Sequence, residues 1–257
     1  SAISHQAPHM QPQHIANILW AFATMGCDPG GNLMRQIDNQ MTLEAENFKP
    51  QELSMTLWAY AKLQRSPGAE VSPVLHRVTR RLAPALSAQS IANILWAHAT
   101  LPNGALPADV VRRLVCEAAR KAPHAKPQEL SIVLWTLATI RHHPGLQLLA
   151  PVFQAISHQV ASFKPHELSI TLWSIARLHA LSPSSSTQAP SPQRSREESR
   201  NVSMEPHEAM IPRDSHRNAW PSSPAEFSHN QALHSLDDVI SSVSLGVMNQ
   251  IEDFNPQ

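Results

Sequence analysis

The sequence predicts an all-α fold, an α-solenoid of about five stacked helical hairpins. A nine-residue segment ending in tryptophan occurs five times, as PQHIANILW, PQELSMTLW, AQSIANILW, PQELSIVLW and PHELSITLW. The intervals between these tryptophans are 38, 38, 39 and 38 residues. A fixed period in this range is typical of stacked-repeat proteins. We call each segment a tryptophan word; the tryptophans are Trp20, Trp58, Trp96, Trp135 and Trp173.

Each tryptophan word predicts the start of a helix, which we call helix B. Proline opens four words and suits the first helical turn, where the backbone N–H would have no partner. Ala88 opens the third word, and Ser87 before it is predicted to be the N-cap. Three words carry glutamate in the first turn, which suits the helix dipole. In PQELSMTLWAYAKL the helix is apolar almost all round, which predicts burial between neighbours.

A second, amphipathic helix, called helix A, is predicted between successive B helices. Residues 70–82, 108–121 and 146–160 each place apolar residues on one side, and Pro151 is expected to kink the last. Turn sequences such as DPGG and SPG separate the pairs. One hairpin cannot cover both faces of its B helix, so the hairpins are predicted to stack. Each tryptophan is then predicted to be buried between layers.

The predicted domains follow from where the repeat stops. Residues 1–180 form the helical-repeat array, whose first repeat is incomplete. Residues 181–227 are rich in serine, proline and charge, which predicts a disordered linker or insertion. Trp220 within it is either an unconstrained aromatic or part of a short docking motif. Residues 228–257 are predicted to hold the first helix of a further, truncated repeat, so we expect a fragment of a longer array or an incomplete gene model.

Composition narrows the function classes. The chain has 20 basic and 20 acidic residues, and no apolar run approaches the roughly 18–20 residues of a membrane helix. No targeting segment is visible. Cys27 and Cys116 are too few and too far apart for a disulfide framework or a metal site. No phosphate-binding glycine loop or nucleophile motif occurs. We therefore expect no enzyme, no cofactor, no metal and no small-molecule substrate.

The period and the pattern P-Q-x-L-S/A-x-x-L-W-A-x-A resemble the octotricopeptide repeat, a family of organellar RNA-binding proteins related to the FAST-kinase-domain helical repeats. The resemblance covers residues 1–180 and, by its register, residues 236–257. It implies binding of single-stranded RNA in chloroplast or mitochondrion, for transcript stabilisation, processing or translation. Other organellar RNA-processing proteins are further partners that it implies.

RNA binding requires cations for phosphates and exposed side chains that stack on bases. Residues 1–180 carry 15 Lys or Arg against 10 Asp or Glu, and a stack of layers is predicted to align the cations along one edge. A solvated helix face explains the same charges without RNA. The candidate RNA-binding residues are Lys49, Arg77, Arg80, Arg81, Arg112, Arg113, Lys126, Arg141, Lys164 and Arg177.

Two further interpretations stay open from the sequence. Asn17 and Asn93 share one position of the tryptophan word and either hydrogen-bond between layers or read a base. His98 takes the place of Phe22 and Tyr60 and is predicted to be a packed helix residue.

The alternative to RNA binding is a protein-interaction scaffold that holds partners in the solenoid groove. Salt separates the two, because phosphate contacts weaken steeply with salt and apolar contacts do not.

Overall fold

The protein is described by a computed structural model that covers residues 10–101 and 106–181 and the single position 241. Residues 10–181, apart from the gap at 102–105, form nine α-helices and no strand, which confirms the all-α helical-repeat prediction. The helices are α1 (Pro12–Met25), α2 (Gly31–Leu43), α3 (Pro50–Lys62), α4 (Val71–Leu82), α5 (Ala88–Thr100), α6 (Ala108–Lys121), α7 (Pro127–Thr139), α8 (Leu146–Gln159) and α9 (Pro165–Ala180).

The B helices begin where the tryptophan words predict. Four of them start at the proline of the word. The remaining one, helix α5, starts at Ala88, and Ser87 caps it by accepting a hydrogen bond from the N–H of Ser90 at 3.0 Å. In three B helices the carboxylate of the first-turn glutamate accepts the backbone N–H of the N-cap residue. This N–H has no hydrogen-bond acceptor within the helix. The bonds run from the N–H of Lys49 to Glu52 (2.9 Å), of Lys126 to Glu129 (2.8 Å) and of Lys164 to Glu167 (2.8 Å).

Three B helices also end in the same way, with a residue in the left-handed conformation. This residue is Gly26 (φ 64°), Gln64 (φ 54°) or Arg141 (φ 55°). Its N–H bonds to the carbonyl three residues back, and the next N–H bonds to the carbonyl five residues back. These two bonds form the Schellman motif, which satisfies carbonyl groups at the end of the helix.

The helices stack in chain order in two rows. The B helices α1, α3, α5, α7 and α9 each pack on the next, and the A helices α2, α4, α6 and α8 do the same beside them. We number the layers 1 to 5 by their B helices. The fourth position of the tryptophan word is core in every layer, with at most 2% exposure; it is Ile15, Leu53, Ile91, Leu130 or Leu168.

A 3₁₀ turn follows each A helix, and the next layer hydrogen-bonds to it. Donors at the end of helix A reach carbonyl oxygens in or beside the turn of the preceding layer, which joins adjacent layers with polar contacts. The bonds are Arg81 to Ala45 (3.1 Å) and Glu46 (3.0 Å), Lys121 to Pro84 (3.1 Å) and Gln159 to Ala125 (3.1 Å).

The tryptophans do not share one environment. Trp58 is 7% exposed, as predicted, and Trp96 and Trp135 are half-buried. The prediction is wrong for Trp20 and Trp173, which are 38% and 40% exposed. Both belong to the first and last described B helices, which pack on one described neighbouring B helix instead of two.

Pro151 lies inside helix α8, which continues through it from Leu146 to Gln159. The predicted linker (181–227, with Trp220) and the predicted repeat helix (228–257) lie outside the described residues, except for the end position 181 and the isolated position 241. Among the described helices, no segment reaches the length and hydropathy that a bilayer crossing requires.

Candidate nucleic-acid interface

One side of the B helices faces solvent most openly in layers 1 and 5. It consists of positions 2, 6, 9 and 13 counted from the start of each B helix, which share one helical face. We call this surface the B face. Because the B helices stack in chain order, equal positions form rows along the stack. Its residues are Gln13, Asn17, Trp20 and Thr24; Gln51, Met55, Trp58 and Lys62; Gln89, Asn93, Trp96 and Thr100; Gln128, Ile132, Trp135 and Thr139; and His166, Ile170, Trp173 and Arg177.

The B face is most open in layers 1 and 5, and several of its members in the layers between them are buried. All four members in layer 1 are exposed, and in layer 5 three are exposed and Ile170 is half-buried. In the middle, Trp58, Asn93 and Ile132 are 7%, 5% and 7% exposed. Asn17 is therefore accessible to a ligand on this face, whereas Asn93 is not.

The B helices present no free carboxylate. Their acidic residues are the three first-turn glutamates Glu52, Glu129 and Glu167, each of which accepts the N–H of the N-cap lysine. Burial raises the pKa of Glu129, while the N–H and the charge of Lys126 oppose this. The carboxylates therefore cap the N-terminal ends of these helices, and the rest of each B helix carries no negatively charged side chain.

Cations lie at both ends of the B helices. Lys49, Lys126 and Lys164 are exposed at the N-terminal ends, and their ammonium groups form no salt bridge with any described residue. Arg141 is exposed at a C-terminal end, and the guanidinium of Arg177 lies over the Trp173 ring. A B helix of 13 residues is about 20 Å long, which separates the two sets.

The candidate cations of the A helices have different surroundings. Arg80 forms a salt bridge with Asp109 at 2.6 Å, and Arg77 and Arg81 lie 3.6 Å from the carboxylate of Glu46. Hydrogen bonding to Arg80 lowers the pKa of Asp109. Acidic neighbours therefore offset much of the positive charge at these arginines.

Arg112 and Arg113 of helix α6 are exposed and unpaired within the described residues. The ten candidates thus occupy three places, which are the A helices and the two ends of the B helices. The arrangement of these cations as stripes along one edge of the stack stays a prediction.

Two histidines have structural roles. Nδ1 of the half-buried His98 accepts the N–H of Leu106 at 2.8 Å, which confirms the prediction of a packed residue. Nδ1 of His143 accepts the N–H of Gly145 at 3.2 Å, and burial lowers the pKa of His143, with His142 and His179 adding to the effect. No group of three His, Cys, Asp or Glu suited to a metal ion occurs in the described part of the chain.

Sequence reasoning missed one feature of this interface, which is the pairing of Trp173 with Arg177, although a spacing of four residues on one helix predicts such a contact. Lys62, which the sequence marks as a basic residue at the end of a helix B, is exposed on the B face without a described partner.

Comparison with known proteins assigns the family. The model of the Tbc2 translation factor N-terminal domain matches residues 1–101 and, a second time, residues 100–180. The chain belongs to this family. The two matches to the Tbc2 N-terminal domain together span all five tryptophan words and all nine described helices. No curated protein matches the chain.

Proposed function

We propose that the chain binds single-stranded RNA along the B face and acts in the translation, stabilisation or processing of organellar transcripts. Membership of the Tbc2 translation factor family supports the link to translation. The resemblance to octotricopeptide repeats supports the RNA target and a chloroplast or mitochondrial location. Other organellar RNA-processing proteins are the protein partners expected. The proposal involves no catalytic step.

One observation carries the proposal. The B face carries an indole in every layer together with Lys62 and Arg177, unpaired lysines lie at the N-terminal ends of the same helices, and every carboxylate of the B helices is used at a helix start. Single-stranded RNA presents both phosphates and unstacked bases, which match cations and aromatic rings respectively. The arginines Arg77, Arg80 and Arg81 of the A helices, in contrast, already pair with Glu46 or Asp109.

The test compares two sets of three unpaired, exposed cations in the full chain. Lys49→Gln, Lys126→Gln and Lys164→Gln together remove the N-terminal row of the B helices. We expect weaker binding of a labelled single-stranded RNA. We also expect the slope of log affinity against log salt to fall by about 2, because each phosphate contact to a single strand contributes about 0.7.

The matched control removes the same number of arginines from the A helices, by Arg35→Gln, Arg112→Gln and Arg113→Gln. These three are also exposed and without a partner among the described residues. We expect a smaller loss of affinity, since these arginines belong to the A helices and not to the B helices. An equal or larger loss in the control would place the RNA on the A helices and contradict the proposal.

The second candidate is a protein-interaction scaffold that uses the same surface. The apolar side chains of Met55 and Ile170, which are half-buried on the B face, favour it, since an apolar helix would pack against them. Binding of that kind depends little on salt, whereas RNA binding weakens steeply as salt rises. A partner retained at high salt, with no retention of RNA at low salt, would favour the scaffold.

A further inference from the structure

Trp173 and Arg177 lie one helical turn apart on the B face of layer 5. The central carbon of the Arg177 guanidinium is 5.4 Å from the centroid of the Trp173 ring, within the distance of a cation–π contact. Trp173 is 40% exposed and Arg177 is also exposed. The pair is therefore formed and accessible at the same time.

A hydrogen bond to the preceding layer orients the guanidinium. Nε of Arg177 donates to the carbonyl oxygen of Ala138, in the last turn of helix α7, at 3.3 Å. A guanidinium has five N–H donors, and the others have no partner among the described residues. The donors directed away from Ala138 are thus free to bind a phosphate oxygen.

The other described layers lack this combination. Trp20 is 38% exposed, but the residue four positions later is Thr24. Lys62 follows Trp58 at the same interval, but that indole is only 7% exposed. Layers 3 and 4 have threonine at the cation position and half-buried indoles. Only layer 5 of the described part unites an open indole with an arginine.

We propose that Trp173 and Arg177 form a nucleotide subsite within single-stranded RNA. One base stacks on the exposed indole and guanidinium pair, and a neighbouring phosphate binds the free N–H groups of Arg177. The inference rests on the proposed function. Stacking of this kind accepts any base, because every base has a π face, so the subsite strengthens binding without selecting sequence.

The experiment measures RNA binding by the full chain with Trp173→Ala, Trp173→Phe and Arg177→Lys. Trp173→Ala is expected to weaken binding about tenfold, the loss of one stacked base. Trp173→Phe retains a ring and is expected to stay within about threefold. Arg177→Lys keeps the charge but loses the planar donor group, so an intermediate loss is expected. Thermal unfolding of each variant shows whether it is folded.

Two controls separate stacking from a merely structural role. An abasic oligonucleotide of equal length offers phosphates without bases, so Trp173→Ala is expected to bind it as the wild type does. Trp20→Ala removes an exposed indole that has no cation four residues later, and it is expected to lose less affinity than Trp173→Ala. Equal losses at the two tryptophans, or the same loss with abasic RNA, would overturn the subsite.

The subsite and the proposed function fail differently. If the wild-type chain binds RNA and Trp173→Ala binds it equally well, the subsite is wrong and RNA binding stands. If the wild-type chain does not bind RNA at low salt, the proposed function is wrong, and the subsite fails with it.

Discussion

The phenolic hydroxyl of Tyr60 donates a hydrogen bond to the carboxylate of Asp38, and this contact joins helix α3 to helix α2. The other oxygen of Asp38 accepts the N–H of Gly68 at 3.1 Å, three residues before helix α4. Tyr60 is 0% exposed. One carboxylate therefore holds together a B helix, the A helix before it and the turn that leads to the next A helix.

Tyr60→Phe is expected to lower the free energy of unfolding by about 1–3 kcal/mol, since it removes a hydrogen bond to a charged group and keeps the ring. Urea denaturation measures the change. Asp38→Asn in the wild type and in Tyr60→Phe completes a double-mutant cycle. Strictly additive losses would show that the two side chains do not interact, contrary to the structure.

The same pair predicts an alkaline transition. Burial raises the pKa of Tyr60 well above its ordinary value of 10.0, and the charge and hydrogen bond of Asp38 add to the rise. A folded pKa above the unfolded one means that this stabilisation is complete below pH 10 and is lost as the pH rises through the folded value. Tyr60 is the single tyrosine of the chain.

Absorbance of tyrosinate therefore reports Tyr60 alone, and circular dichroism reports the helices. We expect both signals to change together in an alkaline titration, because ionisation of Tyr60 requires unfolding of its surroundings. Ionisation near pH 10 with full helical content would show that the hydroxyl is accessible and would contradict its burial.

The left-handed residues that end the B helices predict opposite effects of glycine. Gln64 pays a conformational cost at φ 54° that glycine avoids, so Gln64→Gly is expected to stabilise the fold by about 1 kcal/mol. Gly26 has φ 64°, so Gly26→Ala is expected to destabilise it by about 1 kcal/mol. Thermal unfolding checks both. Destabilisation by Gln64→Gly would mean that the glutamine side chain, rather than the backbone, matters there.

The unequal burial of the tryptophans predicts unequal stability losses. Trp58→Ala empties a site that is 7% exposed and is expected to cost about 3–5 kcal/mol. Trp20→Ala removes an indole that is 38% exposed and is expected to cost much less, since part of its surface already meets water. Denaturant unfolding under one set of conditions compares them, and equal losses would contradict the description of the B face.

The tryptophan word was sufficient to predict the helices, because its proline, its first-turn glutamate and its apolar period are local signals. Helix α2 was not singled out, and the sequence marked its start only as the DPGG turn. The contact of Asp38 with Tyr60 spans 22 residues, and nothing in either local pattern indicates it. Such pairs depend on how hairpins pack.

The site was predictable in part for the same reason. The register of Lys49, Lys126 and Lys164 follows from the repeat, and the structure keeps them unpaired at equivalent helix ends. Exposure of an indole depends on the neighbouring layers, so five copies of one word gave indoles from 7% to 40% exposed. The acidic partners of Arg77, Arg80 and Arg81 come from other layers, which a local pattern cannot show.

Titration of the full chain with single-stranded RNA, at low and at moderate salt, decides whether the B helices bind RNA. We expect retention of RNA at low salt and a steep loss of affinity as salt rises, because cations at the ends of the B helices bind phosphates. No retention at low salt, or an affinity that salt leaves unchanged, would contradict RNA binding by these helices.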